Sequence, residues 1–316
     1  MLFRQLEYFV ALAREQHFAR AAAACHVSQP TLSEAIRKLE HEFGVPLVRR
    51  GHSFEGLTPQ GERLVLWARR ILSDHDALQE EVEALRDGVS GELRLGVIPT
   101  AASAVAALTD PFCAQNPLVR VSLHTALTSA DILSRVREFK LDAGIIYHDA
   151  GALEGVGVTR LATEGHVLIV HGSLYPARVG EVDWADVATL PLCLLNREMR
   201  GRQLIDRAAA QRGLSISAQL ETDSVVTLLA HVGTGRWASI VPQSWTTTLR
   251  LPPDIRVLRL QDPVQAEMAL VVNALEPASV VTTALVRTVV EGEGHQDGVV
   301  PAPPPDLDGE HPPTPG

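Results

Sequence analysis

The first sixty residues carry apolar side chains at helical spacing. Apolar positions recur every three or four residues over 2–15, which predicts an amphipathic helix, and an alanine-rich stretch predicts a second over 18–24. A third helix is predicted from Ser28, which can cap it, to about residue 42, with Pro30 in its first turn. Its apolar residues form one stripe that must face a core. They are Leu32, Ala35, Ile36, Leu39 and Phe43.

A short segment of turn residues then leads into a much longer helix. Residues 45–57 predict a small hairpin or wing, and Thr58-Pro59 begins a helix that runs to residue 87. Apolar positions in this helix alternate by four and three residues, and such a seam requires a partner helix. We expect the seam to dimerise the protein and residues 88–91 to form a hinge. The seam residues are Leu64, Ala68, Ile71, His75, Leu78, Val82 and Leu85.

The pattern changes from residue 92 onward, where short apolar runs alternate with helical stretches. This alternation predicts two α/β halves of similar size. Strands are expected at 92–98, 119–125, 141–147, 167–170, 191–195, 217–221, 238–242 and 268–274, and helices at about 103–115, 130–140, 201–212, 224–232 and 278–290. Residues 292–316 are rich in Pro, Gly and acidic residues without apolar periodicity, which predicts a disordered tail.

Composition narrows the class of protein. No run approaches the roughly 18 apolar residues of a membrane span, and no secretion signal opens the chain, so we expect a soluble cytoplasmic protein without a membrane partner. The cysteines Cys25, Cys113 and Cys193 are far apart, which argues against disulfides and a zinc site. We therefore expect no metal and no cofactor.

Charge is distributed unevenly along the chain. The net charge is -10, yet residues 1–70 contain ten Lys/Arg and seven Asp/Glu, a net of +3. A basic N-terminal region on an acidic body fits DNA contact confined to that region, because phosphate attraction is screened within about 10 Å. A helix, a three-residue turn and a helix with a polar outer face match the helix-turn-helix.

A specific resemblance rests on several ordered motifs. The chain reads LxYFxAxAxxxxFxxAA over residues 6–22, VSQPxLSxxIxxLE over 27–40, LVRR at 47–50 and LTPxG at 57–61. In these motifs it resembles the LysR-type transcriptional regulators. The resemblance implies an α+β protein with an N-terminal winged helix-turn-helix (1–58), a linker helix (59–87), a hinge (88–91) and a two-lobed α/β, periplasmic-binding-protein-like effector domain (92–291). Lobe I would comprise about 92–161 and 266–291, and lobe II about 162–265.

Some residues depart from the family pattern. Ser or Thr usually flanks the position of Phe18, whereas this chain has His17 and Ala19, so we expect the second helix to lack its usual cap. Glu34 stands where a long polar residue is frequent, and Phe54-Glu55 replaces basic residues of the wing. We therefore expect fewer phosphate contacts than is usual for the family.

The third helix and the wing supply the candidate DNA contacts. Residues with exposed polar side chains in the third helix would reach bases, and basic residues would hold phosphates. Candidate DNA-binding residues are Ser28, Gln29, Pro30, Thr31, Ser33, Glu34, Arg37, Lys38, Arg49, Arg50 and Thr58, the phosphate contacts among them being Lys38, Arg49, Arg50 and Thr58.

Four junctions at the carboxyl ends of predicted strands carry polar groups. In open α/β folds ligands bind at this edge, and helix N-termini attract anions. The candidate effector-binding residues are Thr100, Ala101, Ser103, Thr128, Ser129, Asn196, Arg197, Thr222 and Ser224. Their convergence favours a small organic anion, although each hydroxyl can equally serve as a helix cap.

The expected partners are double-stranded DNA, a small-molecule effector and further copies of the chain. Family resemblance implies a dimer of dimers on an interrupted palindrome, with RNA polymerase a further candidate partner. An enzyme is disfavoured because GxSxG, HExxH, Walker and GxGxxG motifs are missing from the sequence. A ligand-independent architectural DNA-binding protein remains the alternative. A transport-type solute-binding protein would leave residues 1–88 without a role.

Overall fold

A computed structural model describes residues 1–50, 54–148, 153–175 and 180–296. The N-terminal part contains three helices and a two-stranded antiparallel hairpin, followed by a helix of 29 residues. These elements are α1 (Phe3–Glu15), α2 (Phe18–Ala24), α3 (Gln29–Phe43), β1 (Val48–Arg50), β2 (Phe54–Leu57) and α4 (Pro59–Asp87). Their order confirms the predicted three helices, wing and long helix.

The buried stripe of α3 holds the N-terminal domain together. Leu32, Ile36 and Leu39 are fully buried against apolar residues of α1 and α2, as predicted. Phe43 was predicted to join them, but it is exposed, because it is the last helical residue before the chain reverses at Gly44 with a φ of +67°. Burial of the stripe fixes which face of α3 turns outward.

The ends of these helices are capped by side chains. The hydroxyl of Ser28 accepts a hydrogen bond from the backbone N–H of Thr31 at 3.3 Å, as predicted for the cap of α3. The usual hydroxyl cap of α2 is missing, as expected, but a different side chain caps this helix. Nδ1 of His17 accepts a hydrogen bond from the N–H of Ala19 at 3.1 Å, so the imidazole replaces the usual hydroxyl.

The long helix α4 uses different faces along its length. Val65 and Ala68 are buried against the N-terminal domain, with Leu64 and Ile71 packed at the edge of the same cluster. Ala68 was predicted to lie in the dimer seam, but it is only 1% exposed and belongs to the core of its own chain. The seam prediction is therefore wrong at its N-terminal end, because tertiary packing already covers that side of the helix.

The second part of the chain is built on one mixed sheet of ten strands. Eight of them follow the order β4-β3-β5-β12-β6-β10-β8-β9, with β11 beside β6 and β7 beside β11. The strands are β3 (Ser90–Val97), β4 (Leu118–His124), β5 (Ala143–His148), β6 (Val156–His171), β7 (Glu181–Val182), β8 (Leu192–Leu195), β9 (Ala218–Thr222), β10 (Ala238–Pro242), β11 (Ile255–Leu260) and β12 (Gln265–Asn273).

Helices cover this sheet and complete two lobes. They are α5 (Ala102–Gln115), α6 (Ser129–Arg137), α7 (Trp184–Thr189), α8 (Arg200–Gln211), α9 (Val225–Gly233), α10 (Ser244–Thr248) and α11 (Val280–Gln296). Sequence reasoning missed α7, α10, β7 and β11. It also ended the last helix early, since α11 continues to Gln296 and residues 292–296 were assigned to the tail. The rest of the predicted tail lies outside the described residues.

The long strand β6 connects the two lobes. Its first part pairs with β12 in lobe I, and residues 166–171 pair with β10 and β11 in lobe II. Separate apolar clusters fill the two lobes. Within the described residues the chain passes from lobe I to lobe II along β6 and returns in the segment between β11 and β12, so the lobes can change their mutual angle without breaking either core.

None of the helices in the described ranges is long and apolar enough to cross a membrane.

Candidate DNA-binding surface and effector cleft

The outer face of α3 presents polar side chains around its buried stripe. Gln29, Thr31, Glu34, Arg37 and Lys38 are exposed, together with Ser28 and Pro30, and Ser33 is half-buried. The hydroxyls of Ser28 and Thr31 lie 2.7 Å apart. All eight predicted residues therefore lie on or beside one outward surface at the start of α3, which is the part of a recognition helix that reads base edges.

Two charges on this surface partly neutralise each other. Lys38 Nζ lies 3.8 Å from Glu34 Oε1, one helical turn away, and both side chains are largely exposed. An exposed pair of this kind contributes at most about 1 kcal/mol, so both groups stay available to a partner. Arg37 has no ion-pair partner among the described residues, and its guanidinium carries the positive charge of this face.

The wing and the start of α4 place three further candidates. Arg49 is exposed in β1, whereas the side chain of Arg50 lies outside the part that the structure describes. Thr58 is buried. Its hydroxyl donates to the carbonyl of Pro46 at 2.7 Å and accepts from the N–H of Gly61 at 3.0 Å. Both hydrogen bonds hold the wing against α4, so Thr58 is a capping residue and its predicted phosphate contact is not supported.

An exposed apolar stripe remains on α4 after the N-terminal domain has packed. Leu78, Val82 and Leu85 are exposed, in agreement with the predicted seam, and His75 packs its ring 4.4 Å from that of Phe3. Trp67 shares this face and is 59% exposed. From Trp67 the apolar positions Ile71, Leu78, Val82 and Leu85 follow at steps of four, seven, four and three residues. This spacing in the sequence already indicated that Trp67, rather than Ala68, lies on the interface side of the helix. We call the exposed Trp67, Leu78, Val82 and Leu85, together with the half-buried Ile71, the α4 stripe.

The cleft between the lobes contains a fully buried arginine that the sequence analysis missed. The side chain of Arg202, in the first turn of α8, is 0% exposed. Its Nη1 donates to the carbonyl of Leu195 and to Glu221 Oε1, both at 3.0 Å, and its Nε donates to Asp206 at 2.8 Å. Its Nη2 is buried without a hydrogen-bond partner in the described chain. A buried unpaired guanidinium nitrogen is a candidate anion donor.

Both lobes contribute to the walls around Arg202. Thr100 from lobe I and His166 from lobe II line the cavity, and the indole N–H of Trp245 donates to the carbonyl of Thr100 at 3.2 Å across the cleft. A side chain at Gly201 would meet Thr100 at 3.2 Å. The remaining cavity is only about 10 Å³, about the minimum for one water molecule. The lobes are therefore closed on each other.

Burial keeps two ionisable side chains near Arg202 uncharged. Desolvation lowers the pKa of His166 to about 4, and its Nδ1 lies 3.3 Å from the carbonyl of Val264. Desolvation also raises the pKa of the buried Tyr147 hydroxyl in β5. Because both side chains are uncharged near pH 7, the positive charge in this cleft belongs to Arg202.

Three of the predicted effector residues make contacts outside the closed cavity. Thr128 and Ser224 cap α6 and α9, accepting from the N–H groups of Asp131 at 3.1 Å and Thr227 at 3.2 Å. The exposed Arg197 points to Glu221 at 3.3 Å rather than into the cavity, which corrects its prediction. Of the nine candidate effector residues, Thr100 lines the closed cavity, and the adjacent Ala101 is buried.

The remaining four candidates lie at the strand ends but outside the cavity lining. Asn196 donates its backbone N–H to the carbonyl of Thr222 at 3.0 Å, and the Thr222 hydroxyl accepts from the N–H of Ser224 at 3.1 Å. The Ser129 hydroxyl is buried without a partner in the described chain. For Ser103 the side chain is outside what the structure describes.

Burial disfavours the thiolate form of the two more buried cysteines. Desolvation raises the pKa of Cys193, in β8, to about 11 and also raises that of Cys25. Both are therefore protonated near pH 7, and a thiol attacks peroxides only as the thiolate. Cys113 is exposed on α5. Among the described residues no cluster of His, Cys, Asp and Glu could hold a metal ion.

Comparison with known proteins identifies both parts of the chain. Residues 3–62 match the family described as "Bacterial regulatory helix-turn-helix protein, lysR family", and residues 86–293 match "LysR substrate binding domain". The chain belongs to the LysR family. It is thus a DNA-binding transcriptional regulator with an effector-binding domain, as its motifs indicated.

Two relatives and two solved structures are similar to this LysR regulator over at least 80% of its length. The dual regulator OxyR of Escherichia coli (strain K12) is 33% identical over 258 residues, covering 80% of this chain and 81% of that protein. The regulator EstR of Acinetobacter baylyi is 28% identical, over 87% and 91% of the two chains. Full-length OxyR from Pseudomonas aeruginosa superposes with a TM-score of 0.73 and 25% identity, over 92% and 97% of the chains. Full-length CbnR, solved with its target DNA, superposes with a TM-score of 0.67 and 26% identity, over 92% of this chain and 99% of CbnR.

Proposed function

We propose that two copies of this regulator associate through the α4 stripe and insert their α3 helices into successive major grooves of a promoter palindrome. The observation that carries this proposal is the outward polar face of α3, fixed by the burial of Leu32, Ile36 and Leu39. Two recognition helices need a fixed separation of one helical turn of DNA, about 34 Å, which a dimer supplies.

Base contacts and phosphate contacts are assigned to different residues of this surface. Gln29, Thr31, Ser33, Glu34 and Arg37 would reach base edges, while Lys38, Arg49 and Arg50 would hold phosphates. Replacing a base-reading residue costs about 1–3 kcal/mol at one base pair, whereas losing a phosphate contact weakens every sequence alike.

Fluorescence anisotropy on a promoter fragment and on a random duplex tests this assignment. Arg37→Ala is expected to lose affinity mainly for the promoter, and Arg49→Ala is expected to weaken both duplexes equally and to lower the salt dependence. Equal losses on both duplexes for Arg37→Ala would contradict its role as a base-reading residue.

We further propose that the effector is a small organic anion bound between the lobes. The Nη2 of Arg202, which is buried without a hydrogen-bond partner in the described chain, and the uncharged His166 in the same cavity support an anionic ligand. Because the closed cavity of about 10 Å³ cannot hold such a molecule, binding requires the lobes to separate at the contact between Trp245 and Thr100. A ligand that prefers one lobe angle shifts the equilibrium between arrangements of the DNA-binding domains.

A thermal-shift screen of small organic acids tests this effector class. A carboxylate is expected to raise the melting temperature of the wild-type protein, and its uncharged amide is not. Equal responses to acid and amide would contradict the role assigned to Arg202.

The signal proposed here is a metabolite rather than a peroxide. Several relatives carry the name "Hydrogen peroxide-inducible genes activator", but burial keeps Cys25 and Cys193 protonated in this chain. Treatment with hydrogen peroxide is therefore expected to leave DNA affinity unchanged. A change in DNA affinity that either Cys113→Ser or Cys193→Ser abolishes would contradict this expectation.

We infer a dimer of dimers, contact with RNA polymerase at the promoter, a cytoplasmic location and a regulatory role without catalysis. The alternative, an architectural DNA-binding protein indifferent to metabolites, would bind promoter and random duplexes alike.

A further inference from the structure

A second cavity lies in lobe I, separate from the cleft. It opens between α5 and α11, with β6 and β12 beneath it and α10 of lobe II at one end. Its volume is about 650 Å³, within the range of about 300–1,000 Å³ typical of small-molecule sites. Its apolar walls include Ala104, Ala107, Leu108, Leu161, Met268 and Val289.

The charges that line this cavity have one sign. Glu164 and Glu291 are its ionisable residues, and no Lys, Arg or His is among its described lining. Glu164 is 6% exposed, and its Oε1 accepts a hydrogen bond from the N–H of Ser244 at 3.1 Å. In the described chain no cation pairs with this carboxylate. Burying a carboxylate without a cationic partner is costly, so the cavity is incomplete on its polar side.

We propose that this lobe I cavity binds an apolar amine, a molecule with one or two hydrocarbon rings and an ammonium group. The rings would pack on the apolar walls, and the ammonium group would pair with Glu164. The charge preference is opposite to that of the cleft, where the unpaired nitrogen belongs to Arg202. The two sites therefore take different ligands.

The helix α10 separates the two sites and touches both. Ser244 and Thr248 face the lobe I cavity, while Trp245 lines the cleft and binds the carbonyl of Thr100. An amine that pairs with Glu164 acts on the residue that holds the start of α10. The cavity is thus placed to bias lobe closure without entering the cleft.

Three matched probes test the proposal by isothermal titration calorimetry on the full chain: 2-(1-naphthyl)ethylamine, 1-naphthylacetamide and 1-naphthylacetate. The amine is expected to bind about tenfold more tightly than the amide and more tightly still than the acetate, because only the amine can form a charge-assisted contact with Glu164. Glu164→Gln, which retains an acceptor for Ser244, is expected to bring the amine to the affinity of the amide.

Two neighbouring substitutions on α5 control for the location. Ala107→Trp fills the cavity from an exposed position and is expected to abolish binding of the amine, whereas Ala106→Trp lies on the same helix outside the lining and is expected to leave it unchanged. Equal effects of the two tryptophans, or equal binding of acetate and amine, would overturn the proposal. Binding only after removal of residues 297–316 would make the chain's own C-terminal segment the occupant, and would overturn it too. None of these outcomes bears on DNA binding or on the anion site.

Discussion

Two arginines bind the same carboxylate from opposite environments. Arg202 Nη1 and Arg197 Nε both donate to Glu221 Oε1, but the Arg202 side chain is fully buried whereas that of Arg197 is 71% exposed. The hydrogen bond from Arg202 is the main reason that the pKa of Glu221 is lowered. Burial therefore decides which arginine is structural, because a buried guanidinium has no water to replace a lost partner.

Replacement of these arginines should have unequal effects on stability. Arg202→Ala removes the hydrogen bonds to Leu195, Asp206 and Glu221 and is expected to lower the free energy of unfolding by about 2–3 kcal/mol, because water can solvate the two partly exposed carboxylates that are left. Arg197→Ala, its matched control, is expected to change it by less than about 1 kcal/mol. Urea unfolding at pH 7 measures both variants, and equal losses would show that the Arg202 contacts contribute no more than a surface ion pair.

The buried His166 predicts a dependence of stability on acid pH. Its pKa in the folded protein is about 4, below the ordinary 6.5, because desolvation disfavours the imidazolium. Stability is therefore full above pH 6.5 and is lost as the pH falls from there toward 4, since only the unfolded chain takes up the proton. Between pH 7 and 5 the expected loss is about 2 kcal/mol.

The variant His166→Asn keeps a polar group near Val264 but does not titrate in this range. Urea unfolding at the two pH values is expected to show a smaller loss for this variant than for the wild type. The same loss in both proteins would mean that His166 does not contribute.

Sequence reasoning located elements more reliably than the residues of the cleft. Surface and buried positions of α3 follow from a 3.6-residue period, so its outer face could be predicted residue by residue. Arg202 could not be separated from Arg197 and Arg200, because three arginines within six positions look alike before the strand β8 and the helix α8 are packed. His17 was missed as a cap because the preference for hydroxyls hides an imidazole with the same geometry.

At the scale of elements, α4 carries both a core face and an interface face. Its first turns complete the N-terminal domain, and the α4 stripe runs along the free side. The arginine Arg70 covers the Trp67 ring at 5.6 Å from its centroid, which shields one side of an otherwise exposed indole. A heptad pattern alone could not show that Ala68 is taken by the core.

Disruption of the α4 stripe is expected to weaken association of the chains. Leu78→Glu and Leu85→Glu place charges where apolar side chains would each contribute about 1.5–3 kcal/mol of burial in an interface. Sedimentation velocity should show a shift toward monomers at micromolar concentration. Gln79→Glu, an exposed neighbour off the stripe, is the matched control, and an unchanged oligomeric state in the stripe variants would rule out this interface.

At the scale of the whole molecule, α4 also packs against lobe I. Arg69 Nη1 binds Glu138 Oε2 at 3.1 Å, and Glu80 lies against Gly91 beside the bidentate pair of Arg94 and Asp142. Burial raises the pKa of Glu80 to about 7, helped by Asp142, Asp76 and Glu83 and opposed by Arg94. Asp74 and Glu92 line the same cavity of about 220 Å³. A carboxylate in this acidic setting weakens the contact between α4 and lobe I.

Removal of the Glu80 charge is expected to stabilise the protein at alkaline pH. Because the folded pKa is raised above 4.5, the stabilising contribution is full below pH 4.5 and is lost as the pH rises through about 7. After a discount for solvent screening, Glu80→Gln should gain about 1–2 kcal/mol over the wild type at pH 8 and almost nothing at pH 5.

Thermal unfolding at the two pH values measures this difference. The exposed Glu81→Gln on the same helix is the matched control and should match the wild type at both. A gain for Glu80→Gln that is the same at pH 5 and pH 8 would contradict titration of this side chain.

Paired α3 helices that read base edges must prefer one DNA sequence over others. Fluorescence anisotropy of the full chain, at a fixed salt concentration near 0.15 M, should be compared on the DNA upstream of its own gene and on a random duplex of equal composition. We expect a preference of at least about 1,000-fold for the upstream DNA, within the range of specific regulators. Equal affinity for the two duplexes would contradict it.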